Sequence, residues 1–461
     1  MGTQKISLND RFDLEKSPVL LNGTQALVRM MMMQKARDRA AGLNTAGYVT
    51  GYRGSPLGAV DLQMERAAKS LAAYDVIFEA GLNEDLAATA LWGTQQAELR
   101  GEGKYDGVFG LWYGKGPGVD RSGDVMRHAN MAGSSAHGGV LMAMGDDHTG
   151  ESSTVLHQSE WAMMDAYMPI VSPAGVQEIM DYGIYGWGLS RFSGLWVGLK
   201  TMKDTVEATS VVDGDPHRMR LVTPTYDMPE GGLNIRLIDT PHLQEARMID
   251  HKRFAAEEYS HANKMDKRMW GKPGAKIGFV AAGKNWLDLI HAMSLLNIDE
   301  NEAERLGITL YKVGQTFPLD MRGFHAWAEG LDLVVVVEEK RKLIEIQIKE
   351  ALFSDTHRRV YGWHKGGGAG LEHGEELFPT RAALDPIWIA EKLGGILIEE
   401  GRNTDGIKAG MESLDTARRA DNAEDIAART PYFCSGCPHN SSTKLPEGSR
   451  AYAGIGCHYM V

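Results

Sequence analysis

Between about Asn22 and Leu221 short apolar runs keep giving way to a turn and then to a helical stretch, and this alternation limits the fold more than any other feature of the chain. TAGYVTGY (45–52) is a strand running into the turn RGSPLG, and VIFEAG (76–81) is a second, followed by an Ala- and Leu-rich helix over Asp85–Ala97. GVFGLWYG (107–114) enters a glycine-rich turn, GGVLMAMGDD (138–147) ends in acids, and MPIVSP (168–173) is a fifth strand. Strands of this length, each followed by a helix, predict an α/β fold with a doubly wound parallel sheet. In such sheets ligands bind where strands end and turns begin.

The pattern breaks over 222–274, where TPTYDMPEGG and the charged EARMIDHKRFAAEEYSHANKMDKR read as a connecting arm with a helix, and Pro273 is expected to open the next domain. KIGFVAA (276–282), GITLYKVG (307–314) and LDLVVVVEEK (331–340) are the strands of a second α/β domain. Helices are expected near Trp286–Leu296, after residue 340 through Leu343, Ile344, Ile346 and Ile348, and around 384–393. The expected division is a first α/β domain over 20–225, an arm over 226–274, a second domain over 275–400, a linker over 401–429 and the start of a third domain over 430–461. No internal repeat has a fixed period.

Composition excludes several classes. A net charge of -12 opposes non-specific binding to a phosphate backbone. No run of 18 apolar residues is present, so no membrane span is expected. The run Met30–Met33, flanked by Arg29 and Lys35, reads as a helix with its apolar side buried, and the polar, acidic N-terminus does not resemble a secretory leader. Three cysteines cannot build a disulfide framework, which points to a reducing cytoplasm.

All three cysteines lie in the last 28 residues, as Cys434 and Cys437 in FCSGCPHN and Cys457 in GIGCHYMV. Two thiolates spaced Cys-x-x-Cys reach one metal from a tight turn, and both tetrahedral zinc and a [4Fe–4S] cluster need four ligands. Spacing does not separate the two, and His439 or His458 could complete a zinc site. Three buried thiols is the plain alternative.

Four strand-to-turn segments offer further chemistry. YRGSPLG sets Tyr52, Arg53, Gly54, Ser55 and Pro56 on one turn, suited to a carboxylate or the polar edge of a heterocycle, or simply an ordinary Gly-Ser-Pro turn. EAGLNEDLAA puts Glu79 on a strand and Asn83 and Glu84 at a helix start, where an acid also serves the helix dipole. YGKGPGVDRSGD sets Lys115 among glycines as in an anion cradle, without the Walker pattern. GDDHTGESS offers Asp146, Asp147 and His148, with His157 and Glu160 downstream: a metal-ligand set or a solvated loop and helix.

Taken in order, YRGSPLG (52–58), NEDLAATA (83–90), YGKGPGVDRSGD (113–124) and GDDHTGESS (145–153) resemble the indolepyruvate:ferredoxin oxidoreductases, which are thiamine diphosphate-dependent 2-oxoacid:ferredoxin oxidoreductases. Residues 275–355 resemble that family's transketolase C-terminal-like domain, and CSGCPHN and GIGCH its entry into the diphosphate-binding domain. The likeness covers nearly the whole chain and is nearest to the long bacterial type with fused subunits.

The resemblance implies a pyrimidine-type thiamine diphosphate-binding domain followed by the transketolase C-terminal-like domain. It implies oxidative decarboxylation of an aromatic or branched-chain 2-oxoacid to an acyl-CoA, with coenzyme A as co-substrate and ferredoxin as electron acceptor. Glu84 takes the position of the carboxylate that hydrogen-bonds the pyrimidine ring nitrogen, with Glu79 as runner-up. Tyr52, Arg53, Gly54, Ser55, Pro56, Asn83, Lys115, Asp146 and Asp147 take cofactor-binding positions. Cys434, Cys437 and Cys457 match three ligands of a [4Fe–4S] cluster. A Mg2+-binding Gly-Asp-Gly…Asn segment is not recognised here, since VVDGDPH (211–217) has the wrong order. The chain is therefore expected to be a fragment, inactive without the rest of a fused polypeptide or separate subunits, in an assembly that is a homodimer in the family. The alternative is a non-catalytic thiamine-fold subunit or assembly module with a structural zinc site.

Overall fold

Asn22 starts the first long helix, Gly23–Ala40, through a reciprocal cap: its side chain accepts from the Gln25 amide at 2.9 Å while its own amide donates to Gln25 Oε1 at 3.1 Å. Met30–Met33 lie in this helix at 0–1% exposure. Arg29 and Lys35 are buried as well, so the helix is enclosed all round rather than on one apolar side. Arg29 meets its burial by donating to the carbonyls of Arg11, Asp13, Lys16 and Gly214 at 2.9–3.1 Å. The helix Val176–Ser193 packs on the same element at Gly183, where a Cβ would stand 2.4 Å from Met30 Sδ.

The computed structural model describes residues 7–151, 155–355, 357–366, 374–421 and 432–452. Met1–Met411 forms one compact unit and Glu412–Val461 a second.

Within the first unit, a seven-stranded sheet runs from one edge as Gln315–Phe317, Ile170–Val171, Val197–Met202, Val140–Asp146, Gly107–Lys115, Thr45–Gly51 and Val76–Ala80. All neighbours are parallel except the first pair. The chain leaves Thr45–Gly51 outward to Val76–Ala80, then crosses back to Gly107–Lys115 on the other side. The strand order therefore reverses between Thr45–Gly51 and Gly107–Lys115, and a reversal of this kind opens a crevice at the carboxyl ends.

A five-stranded sheet follows, in the order Arg359–Tyr361, Leu333–Val337, Ile277–Ala282, Ile308–Val313 and Lys267–Trp270, the last antiparallel. Lys267–Trp270 lies in the stretch expected to be arm, so this sheet starts before Pro273. The expected linker holds a helix, Asp405–Asp421. The two sheets are also stitched together. Directly after Ile308–Val313 the chain turns at Gly314 and adds Gln315–Phe317 to the first sheet. Buried Asp266 holds the crossing by accepting from the amides of Gly314, Gln315 and Asp320 at 2.8, 3.0 and 3.2 Å.

Candidate functional site

Three parallel strands end side by side at the reversal point, with Gly51 opposite Ala80 on one neighbour and Tyr113 on the other. Gly51 has to be glycine, since a Cβ would stand 2.1 Å from the Tyr113 carbonyl oxygen. The turns leaving these strands thus approach one another without side chains between them. The Tyr52 amide donates to Tyr113 O at 3.0 Å and the Gly81 amide to Gly51 O at 2.8 Å. Beneath them, the Tyr113 hydroxyl donates to Asp61 at 2.5 Å. Burial and the Asp61 carboxylate both push the Tyr113 pKa well up, so the phenol stays a neutral donor.

Glu84 is the first residue of the helix Glu84–Thr94, and Asn83 is its cap, accepting from the Leu86 amide at 2.9 Å. The Glu84 carbonyl accepts from the indole of fully buried Trp112 at 3.0 Å. Its side chain is half-buried and lies over Gly118, where a Cβ would stand 2.5 Å from Glu84 Cγ. Glu79, the other candidate acid, is exposed on its strand and accepts from the Tyr48 hydroxyl at 2.9 Å. A carboxylate that must share a proton strongly needs partial burial, which favours Glu84 of the pair.

Gly54 lies against the stem of Lys115, with a Cβ position 2.9 Å from Lys115 Cδ. The first turn and the glycine-rich turn therefore touch. Tyr52 and Arg53 are exposed, Ser55 is half-buried and Pro56 is buried. The Arg53 guanidinium is 3.7 Å from Asp61.

Asp146 lies deeper. It is fully buried and accepts from the Ser159 amide at 3.0 Å and hydroxyl at 2.6 Å. His157 bridges from Asp146, at 3.5 Å, to Asp120 on the short helix Gly116–Arg121 that the glycine-rich stretch forms, at 2.8 Å. Burial alone would raise the Asp146 pKa, but His157, Lys200, His148 and Ser159 together lower it to about 2. Burial alone would lower that of His157, and its two carboxylates raise it. Asp147 shapes its own loop, accepting from the Gly150 and Glu151 amides at 2.9 and 3.2 Å. The structure thus brings Gly54 against Lys115, sets Glu84 over Gly118, and ties Asp146 through His157 to Asp120 on the same short helix Gly116–Arg121. Asp61 carries no local signal in sequence, and the contacts of Gly118 and Asp120 within YGKGPGVDRSGD are made to residues elsewhere in the chain.

In the second unit, Cys434 and Cys437 share a tight turn, with the Cys437 amide donating to Cys434 O at 3.0 Å. Cys434 is exposed, Cys437 is half-buried, and Cys437 Sγ is 3.3 Å from His439 Nδ1. Cys457 and His458 lie outside the described residues.

Residues 267–421 match the indolepyruvate oxidoreductase domain. Over 92% of its length the chain is 24% identical to indolepyruvate oxidoreductase subunit IorA of Pyrococcus abyssi, covering 58% of that protein. It is 23% identical to the corresponding subunit of Archaeoglobus fulgidus over 93% of its length, covering 61%. The chain thus spans about three-fifths of the length of these relatives. Among solved structures, 2-oxoglutarate:ferredoxin oxidoreductase from Magnetococcus marinus superposes with a TM-score of 0.56 at 15% identity, over 82% of this chain and 65% of that one. The two sheets have the fold of a pyrimidine-type thiamine diphosphate domain followed by a transketolase C-terminal-like domain. Residues 267–421 thus carry the likeness to the indolepyruvate oxidoreductase domain, and the chain over most of its length is similar to indolepyruvate oxidoreductase subunits.

Proposed function

We propose that this chain carries the pyrimidine-activating half of an enzyme that oxidatively decarboxylates an aromatic or branched-chain 2-oxoacid to an acyl-CoA and passes the electrons to ferredoxin. The observation that carries this reading is Glu84: a half-buried carboxylate at a helix N-terminus, laid over Gly118 at the strand-order reversal. Gly51 and Gly54 keep the neighbouring turns free of bulk, which suits a flat ring entering the crevice.

Bound thiamine diphosphate supplies a carbon nucleophile and an electron sink for decarboxylation. Glu84 accepts or returns a proton at the pyrimidine ring nitrogen, and Asn83 and Trp112 hold the helix start that aims it. Tyr52, Arg53, Ser55 and Pro56 line the approach, and Lys115 supplies a positive charge beside Gly54. Asp146 acts from behind, through His157 and Asp120 on the helix Gly116–Arg121, and Asp147 fixes the adjoining loop. Leu82 and Leu86, 82% and 50% exposed on either side of Glu84, fit a surface completed by a diphosphate-binding domain that brings Mg2+. That domain belongs either to the same polypeptide or to a separate subunit of a dimeric, cytoplasmic assembly. Coenzyme A enters as co-substrate of the completed enzyme.

Cys434 and Cys437, with Cys457, are the proposed ligands of a [4Fe–4S] cluster. The short Cys437–His439 contact favours a second reading, a zinc clip in a non-catalytic subunit.

Glu84→Gln in the complete enzyme tests the main reading. Loss of roughly 100-fold or more in 2-oxoacid oxidation is expected from removing a proton-transfer group. Near-normal turnover removes Glu84 from this role.

A further inference from the structure

Asp146, His148 and Glu160 are all buried, and each offers one ligand atom within 4.8 Å of the others. They come from the end of the strand Val140–Asp146, the loop after it and the start of the helix Glu160–Asp165. Among the described residues, two of their polar atoms have no hydrogen-bond partner: His148 Nε2 and Glu160 Oε2, on side chains 1% and 7% exposed. Leaving such atoms unsatisfied is unfavourable, so a buried polar atom without a partner calls for a ligand.

The surroundings orient the set. His148 Nδ1 is 2.6 Å from Glu339 Oε1, just after the strand Leu333–Val337 of the second sheet, so Nε2 is the nitrogen left for a further ligand. Glu339 is itself fixed by the Leu384 amide at 2.9 Å and Asn285 Nδ2 at 3.3 Å. A carboxylate behind a histidine, with the far nitrogen presented, is the arrangement that orients metal-binding imidazoles. Asp146 has both oxygens engaged by Ser159, yet each carboxylate oxygen keeps a second lone pair.

Access and charge also fit a cation. A cavity of about 30 Å³ adjoins Glu160, Lys200 and Glu339, room for one water-sized particle. A cleft of about 480 Å³ opens from Asp146 and His148 to solvent. Its rim is acidic, with Asp147, Asp204, Glu207 and Asp385 against Lys203 and Lys284. Inside, the carboxylates Asp146, Glu160 and Glu339 share the ammonium of Lys200, which bonds Glu160 Oε1, and that of Lys284, 3.9 Å from Glu339. Lys284 is also paired with Asp288 at 2.7 Å, and His157 reaches Asp146 at 3.5 Å.

We propose that Asp146, His148 and Glu160 form a site for a divalent transition-metal ion of the zinc type, with Glu339 orienting His148 and a water in the fourth position. One imidazole and two carboxylates suit zinc. A tetrahedral zinc at about 2.1 Å sets its ligand atoms roughly 3.4 Å apart. Because the ion would join the first sheet to Glu339 beside the second, its role is to lock the two α/β domains. This is separate from the role given to Glu84.

The test is equilibrium dialysis of the chain against zinc chloride alone, in a Cys434→Ser, Cys437→Ser, Cys457→Ser background that removes the thiols. One zinc per chain is expected, with X-ray absorption showing nitrogen and oxygen ligands only. His148→Gln and Glu160→Gln should each abolish retention, and Glu339→Gln should weaken it by roughly 10–100-fold. Lys200→Met, which removes the ammonium competing for Glu160, should bind zinc more tightly. Circular dichroism without zinc shows that each variant is folded, and only folded variants enter the comparison. No zinc retained by the thiol-free chain, or equal affinity in folded His148→Gln and Glu160→Gln variants, overturns the proposal.

Discussion

Gly118 lies so close to Glu84 that a Cβ at that position would stand 2.5 Å from Glu84 Cγ and 2.9 Å from Oε1. The acid proposed to act on the cofactor is thus positioned by a residue that contributes no side chain. Its half-burial comes from the short helix Gly116–Arg121, formed by the glycine-rich stretch expected to be a turn, packing over the start of the helix Glu84–Thr94.

Gly118→Ala should displace the Glu84 carboxylate while leaving the sheet intact. The expected outcome in the complete enzyme is a fall in kcat of tenfold or more, by the usual sensitivity of catalysis to about 1 Å of misplacement. The melting temperature should stay within a few degrees of the parent. Unchanged kcat would mean that Glu84 tolerates the shift and that its present position is not the working one.

Asp38 accepts from both terminal nitrogens of Arg191 at 2.7 and 2.8 Å, from Thr45 Oγ1 at 2.6 Å and from Gln34 at 2.8 Å. It joins the two long helices to the strand Thr45–Gly51 in one buried network. Asp38→Ala should destabilise the chain by about 3–5 kcal/mol, since it leaves a mostly buried guanidinium without its partner. Urea unfolding at pH 7 measures this, and a loss below about 1 kcal/mol contradicts it.

Lys252 is fully buried and donates to the Asn130 carbonyl at 2.6 Å and the Met131 carbonyl at 3.2 Å, at the end of the helix Gly123–Ala132. Burial, with smaller effects from nearby charges, lowers its pKa to about 7. Between that value and the unfolded lysine pKa near 10.4, the unfolded chain binds more protons, so stability rises with pH over this window. The difference in unfolding free energy between parent and Lys252→Met should grow from pH 7 to pH 9 by up to about 1.4 kcal/mol per unit. A difference that does not vary with pH would place the Lys252 pKa outside this window.

The thiols separate the two readings of the second unit. Anaerobically purified complete enzyme should be brown, and Cys434→Ser should lower its iron content by the share of one cluster. A colourless protein that loses zinc on the same substitution supports the clip instead. An effect on neither metal removes Cys434 from both roles.

Much of the scaffold was legible along the chain. The apolar runs at 45–52, 107–114, 276–282 and 331–340 all fall on strands, because a strand buried on both faces needs continuous apolar side chains that a local reading detects. The turns carrying Tyr52, Asn83, Glu84 and Lys115 were legible too, since Gly, Pro, Asn and acids mark strand and helix ends chemically. What the chain alone did not reveal is contact. That Gly118 carries Glu84, that His157 ties Asp146 to Asp120, that Gln315–Phe317 leaves one domain to edge the other's sheet, and that Glu339 faces His148 are decided by residues up to 191 positions apart. Local propensity and periodicity report only on a residue's nearest neighbours, so the class of fold and its candidate chemistry were written in the sequence. Which acid is half-buried and which is sealed followed from packing, because burial and partner distance set a carboxylate's proton affinity and neither exists before the chain has folded.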